Sequence, residues 1–153
     1  MKNYEQVIKK IKETSIKIAR REVSKAYVDY YTCWEKEEIA RFVREEDMII
    51  IDKYFVDYGT GDFIETLITH ECCHLLVGGH NKEFQNLFTT VKKNCHWDAS
   101  MHPDFLVIKD KLIANKILDE EGNWKKQIPP ENKEVKKYVL SQMAEQDKHL
   151  LDS

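Results

Sequence analysis

Residues 69–84 read Thr69-His70-Glu71-Cys72-Cys73-His74-Leu75-Leu76-Val77-Gly78-Gly79-His80-Asn81-Lys82-Glu83-Phe84. His70, Glu71 and His74 form a His-Glu-x-x-His motif, and His80 stands six residues beyond it. An α-helix turns about 100° per residue, so residues four apart lie about 40° apart around the axis and about 6 Å along it. His70 and His74 can therefore reach one metal ion from one helix face. Glu71 falls about 60° past His74, placed to reach a water at the metal without ligating the metal itself. A catalytic zinc needs a third protein ligand and an open position. On a continued helix His80 would point about 240° away from His74, so the helix must stop first. Gly78 and Gly79 are the expected stop, since glycine takes the left-handed conformation without penalty. The alternative is a buried helix with hydrogen-bonded histidines. It leaves Glu71 in an apolar face without a partner, a costly arrangement.

The same residues resemble the SprT-like and WLM metallopeptidases. Those families carry His-Glu-x-x-His, a loop, and then a His followed at about four residues by Phe or Trp, as His80 and Phe84 do here. The short loop is like the WLM set. Met48-Ile49-Ile50-Ile51-Asp52 and Phe63-Ile64-Glu65-Thr66-Leu67-Ile68 are similar to the SprT-like strand and helix. The resemblance covers roughly residues 25–97. It implies a zincin fold, a small antiparallel sheet packed on an active-site helix, and a zinc-dependent protease. Its studied members act on proteins attached to DNA. SprT-like proteins often carry a further His after the third-ligand helix, and His96 occupies a comparable place as a substrate contact. Ser100-Met101-His102-Pro103 also resembles a metzincin Met-turn, which implies Met101 packed beneath the site. Val77 stands where metzincins place Gly.

With 153 residues, 42% hydrophobic and 33% charged, the chain suits one soluble domain with a real core. It has no apolar run of about 18 residues that would span a membrane, and Met1-Lys2-Asn3-Tyr4 opens no signal-peptide core, so a cytoplasmic protein is expected. Cys33, Cys72, Cys73 and Cys95 include no Cys-x-x-Cys pair and read as free thiols. The net charge of −3 argues against strong general nucleic-acid affinity.

Along the chain, residues 3–21 read as a helix with a basic face carrying Lys9, Lys10, Lys12, Lys17, Arg20 and Arg21. That face is either solvated or a phosphate-contacting surface, and weak binding of single-stranded DNA is expected from it. Ala26 to Trp34 reads as a strand. Ile39 to Arg44, an acidic turn, and Met48 to Asp52 read as a hairpin, whose second arm is apolar enough to be central. Asp62 reads as the N-cap of the active-site helix, which spans Phe63 to Val77. Asn81 caps an amphipathic helix bearing Phe84, Leu87, Phe88 and Val91. Phe105 to Leu118 is expected to be helical, and Glu131 to Leu150 forms a last helix packed by Val135, Tyr138, Val139 and Met143. This stretch, 104–153, stands where many SprT-like cores carry a zinc ribbon.

These readings converge on a single α+β zincin domain over residues 1–153 with a helical C-terminal extension. Zn2+ sits on His70, His74 and His80, with Glu71 as general base for peptide-bond hydrolysis of a protein or peptide substrate. The competing reading is a zinc-stabilised DNA- or protein-binding adaptor module, which keeps the metal but has no use for Glu71 as a base.

Overall fold

The computed structural model describes residues 3–35, 38–143 and 148. In chain order they form α1 (Tyr4–Ala19), β1 (Lys25–Asp29), β2 (Ala40–Val43), β3 (Met48–Asp52), α2 (Lys53–Asp57), α3 (Gly61–Cys73), α4 (Lys82–Val91), α5 (Phe105–Ala114) and α6 (Lys133–Gln142). Short 3-10 turns lie at Arg44–Glu46 and Ala99–Met101. Among the described residues, no helix is long and apolar enough to cross a membrane.

The five residues of β3 are all buried. Ile49 and Ile51 face a core shared with Ile11 of α1 and Leu67 and Ile68 of α3. Met48 and Ile50 face the opposite core, shared with Val135 and Val139 of α6. A strand apolar on both faces needs cover on both, and β3 takes the centre of the order β1-β3-β2. β2 pairs with it antiparallel through the expected hairpin. β1 pairs with it parallel, from Lys25 beside Met48 to Asp29 beside Asp52. The sheet is therefore mixed, not the antiparallel sheet expected. The hairpin inserts β3 between its two predecessors, so the first strand must run alongside the third.

Two buried aspartates at the ends of the parallel pair explain two further departures. Asp52 Oδ1 accepts from the amides of Tyr31 (3.0 Å) and Thr32 (2.8 Å). Its Oδ2 accepts from Tyr54 (3.0 Å) and Phe55 (3.2 Å). The first pair turns the chain after Asp29, so the strand expected to reach Trp34 stops short. The second pair caps α2, a helix the apolar pattern did not suggest. Asp29 accepts from the amides of Glu131 and Asn132, each at 2.8 Å. Glu131 is thus tied to the sheet, and α6 begins after Asn132, its cap. It ends at Gln142, where Met143 turns extended, rather than running on unbroken toward Leu150 as expected.

α3, the helix that carries His70 and Glu71, also differs from expectation at both ends. Its cap is Thr60, whose Oγ1 accepts from the Phe63 amide at 3.1 Å. Asp62 lies inside the first turn and is engaged by Lys92 at 2.8 Å and His102 at 2.7 Å. The regular helix ends at Cys73, before the glycines. Arg44 Nη2 captures the His74 carbonyl at 2.7 Å, and a turn carries the chain on to Val77. Gly79, at φ +71°, supplies the reversal. Asn81 caps α4 as expected, accepting from Phe84 at 3.0 Å. α5 ends at Ala114, and Leu118 instead bridges to Trp124 across the Gly122 turn.

Replacing Asp52 by Ala leaves four amides without their acceptor. Each buried unsatisfied group costs about 1–3 kcal/mol, so Asp52→Ala should lose at least about 3 kcal/mol in urea unfolding. Asp52→Asn, which keeps one acceptor oxygen, should fall between it and the unaltered chain. A loss within about 0.5 kcal/mol, as for ordinary surface changes, would contradict this role.

Candidate metal centre

α3 carries His70 and Glu71, its C-cap is His74, and the Gly79 reversal brings His80 back over the same face. Their Nε2 atoms lie 3.2 Å (His70–His74), 3.1 Å (His74–His80) and 3.1 Å (His80–His70) apart. The Phe84 ring packs beneath all three, with centroids 4.9, 4.4 and 5.1 Å away. Phe84 is fully buried, so the trio stands on a rigid floor, as the reading of Phe84 as core anticipates.

The chemistry of this triangle points to a cation. His70 Nδ1 faces the Trp97 carbonyl at 2.5 Å and His74 Nδ1 faces the Val77 carbonyl at 3.0 Å. A carbonyl only accepts, so each Nδ1 carries the proton and each neutral ring turns its Nε2 lone pair inward. Burial pushes the His70 imidazole down to about 4 and lowers His74 as well, which keeps both rings neutral. Lone pairs 3.2 Å apart with no hydrogen between them repel. A cation on their common axis removes the repulsion. Zinc held at about 2.0–2.1 Å by tetrahedral nitrogens sets them about 3.3 Å apart, close to the spacing seen. His70, His74 and His80 thus could hold a metal ion.

Glu71 is buried, with Oε2 3.8 Å from His70 Nε2. Burial, reinforced by the charge of Glu38, pushes its carboxyl up to about 8, and the nearby backbone amide of Phe42 on β2 works against that rise.

The trio and Glu71 open on a cleft of about 950 Å³. One wall is β2, through Ala40, Arg41 and Phe42. Within the sheet β2 pairs only with β3, so it is an edge strand. The far wall includes Trp97, Phe105, Leu118 and Trp124, so the C-terminal stretch helps to build the cleft.

The loop histidines go elsewhere. His96 is exposed and does not line the cleft. His102 is buried and bonds Asp62. With Cys95, those two residues form a second group whose ligand atoms lie within 4.8 Å of one another. His102 Nδ1 accepts from the Asp104 amide at 3.0 Å, so its Nε2 carries a proton and donates it to Asp62. The Lys92 ammonium already neutralises that carboxylate. Met101 is 60% exposed and does not pack beneath the site as the Met-turn resemblance implies. All four cysteines are free thiols, three of them buried. Trp97 and Arg44 carry no periodic or motif signal. Trp97 lies in the loop that also carries His96.

No protein-family model and no curated protein matches the chain. Among solved structures it is similar to the crystal structure of the metallopeptidase zymogen of Methanocaldococcus jannaschii jannalysin, at 18% identity and a TM-score of 0.49, over 76% of this chain and 100% of that one.

The Glu71 carboxyl sets a pH signature in the metal-free protein. Its folded value of about 8 exceeds the ordinary 4.5, so the folded state keeps a proton that the unfolded state sheds. The resulting stability is complete below the unfolded value and is lost as pH rises through the folded one. Glu71→Gln keeps the shape of the side chain and does not titrate. In chelator, its melting temperature relative to the unaltered chain should therefore rise between about pH 5 and about pH 8.5. A difference independent of pH would show that Glu71 is not held protonated.

Proposed function

We propose that this chain is a zinc-dependent metallopeptidase of the zincin type, related to the SprT-like and WLM enzymes, and that it hydrolyses peptide bonds. The observation that carries the reading is the inward-facing Nε2 triangle of His70, His74 and His80 with the Glu71 carboxyl 3.8 Å from His70 Nε2, at the wall of an open cleft.

Zinc bound there would supply Lewis-acid chemistry, lowering the pKa of a water toward about 7 and polarising a carbonyl. The chain's own residues do the rest. The three imidazoles fix the ion's position, and the Trp97 and Val77 carbonyls hold two of them in the ligating tautomer. Glu71 takes the proton of the attacking water and passes it to the leaving amine. β2 offers main-chain groups to an extended peptide laid along its free edge. The cleft volume of about 950 Å³ suits a peptide segment rather than a folded protein.

The burial of Glu71 favours a second reading, in which Glu71 is structural and the protein is a zinc-stabilised binding module. One set of measurements separates the two. The purified chain should hold about one zinc, and Glu71→Gln should keep that zinc while losing at least about a hundredfold in peptide hydrolysis. Undiminished hydrolysis by Glu71→Gln would sink the mechanism. Zinc uptake by both proteins with no hydrolysis by either would favour the binding module. His96→Ala should keep the metal, and a fall in kcat/KM would establish it as a substrate contact.

The resemblance also extends to DNA-associated substrates. Lys9, Lys10, Lys17, Arg20 and Arg21 are exposed along α1 and its C-terminal end. Single-stranded DNA should bind weakly at low salt, and Lys9→Glu with Lys10→Glu should weaken it further. No binding at low salt would remove DNA from the proposal.

A further inference from the structure

His80 is the ligand with the least support. His70 is held by α3 and His74 by its C-cap turn, both half-buried, whereas His80 is exposed and follows two glycines. An exposed imidazole on such a segment has rotamers to lose when it joins a metal site. Yet its ring is confined on two sides. The Trp97 indole lies 4.8 Å away, centroid to centroid, at an interplanar angle of 24°. The Phe84 ring meets it edge-on at 5.1 Å and 72°. Both are favourable aromatic geometries. Trp97 is itself packed against the buried cluster of Cys73, Val77, Phe84 and Phe88. The backbone oxygen of the same residue accepts from His70 Nδ1. One loop residue thus touches two of the three imidazoles through two different groups.

We propose that Trp97 is the positioning residue of the metal centre. Its ring holds His80 in the ligating orientation and its carbonyl sets the tautomer of His70. This rests on the reading of His70, His74 and His80 as metal ligands. Side-chain substitution leaves the carbonyl in place, so variants at Trp97 test the ring's part alone.

The full-length chain is titrated with Zn2+ against a chromogenic chelator. Partners that orient metal ligands typically contribute 10–100-fold in affinity, so Trp97→Ala should bind zinc about 10-fold or more weakly. Trp97→Phe, which keeps a ring, should recover most of that loss. In a His80→Ala background, Trp97→Ala should cost little more, because its effect passes through His80. A merely structural role would lower the melting temperature of the metal-free chain and add its full effect to that of His80→Ala. Unchanged affinity in Trp97→Ala, or full additivity, overturns the proposal while leaving the metal reading intact. A chain that takes up no zinc overturns both. Co2+ gives an independent readout that needs only Trp97→Phe. Trp97 stacks on a ligand ring, so Co2+ should quench tryptophan emission strongly in the unaltered chain and far less in Trp97→Phe, which keeps Trp34 and Trp124. Equal quenching in the two would show that the indole is not against the metal centre.

Discussion

A strand that is apolar on both faces can be satisfied only in the middle of a fold. β3, from Met48 to Asp52, is such a strand, and every residue in it is buried. Its two faces define two cores, one closed by α1 and α3 and the other by α6. The site helix lies where it does because the Ile49 and Ile51 side need cover. The C-terminal helix lies opposite because the Met48 and Ile50 side needs it too. Burial of this strand removes main-chain amides near its ends from water, and Asp29 and Asp52 satisfy them. The same two carboxylates set where β1 ends, where α2 begins and where α6 is entered.

From that frame the site follows in steps. α3 packs against the sheet, which buries Glu71 beside the cleft walled by β2. The helix stops at Cys73, Arg44 takes the His74 carbonyl, and Gly79 reverses the chain. Phe84 then locks the start of α4 into the third core, with Cys73, Val77 and Phe88. Three imidazoles end within hydrogen-bonding distance of one another with two lone pairs facing inward. Such an arrangement is electrostatically incomplete by itself. The fold has concentrated unpaired acceptors at one point, and a metal ion is the complement that those acceptors lack.

The convergence of His70, His74 and His80, with Glu71 beside them, was legible in the sequence because helical spacing and a glycine reversal are local properties. A residue four positions from another shares its face in any helix, and Asn81 before an amphipathic run caps it whatever the surroundings. The central place of β3 was legible for a similar reason, since a continuous apolar run has no solvent face to offer. What the tertiary structure decided is everything that depends on a partner distant in the chain. The parallel pairing of β1 with β3 came from the hairpin's insertion between strands, which no pattern within Lys25–Asp29 encodes. The end of α3 came from Arg44, thirty residues away, rather than from the glycines. Asp62 gave up the expected cap for Lys92 and His102, Met101 turned to solvent, and Trp97 reached two of the imidazoles from a loop. Local torsional preference can be read from neighbours in sequence. The competition between a nearby hydrogen bond and a distant one is settled only when the chain has closed on itself.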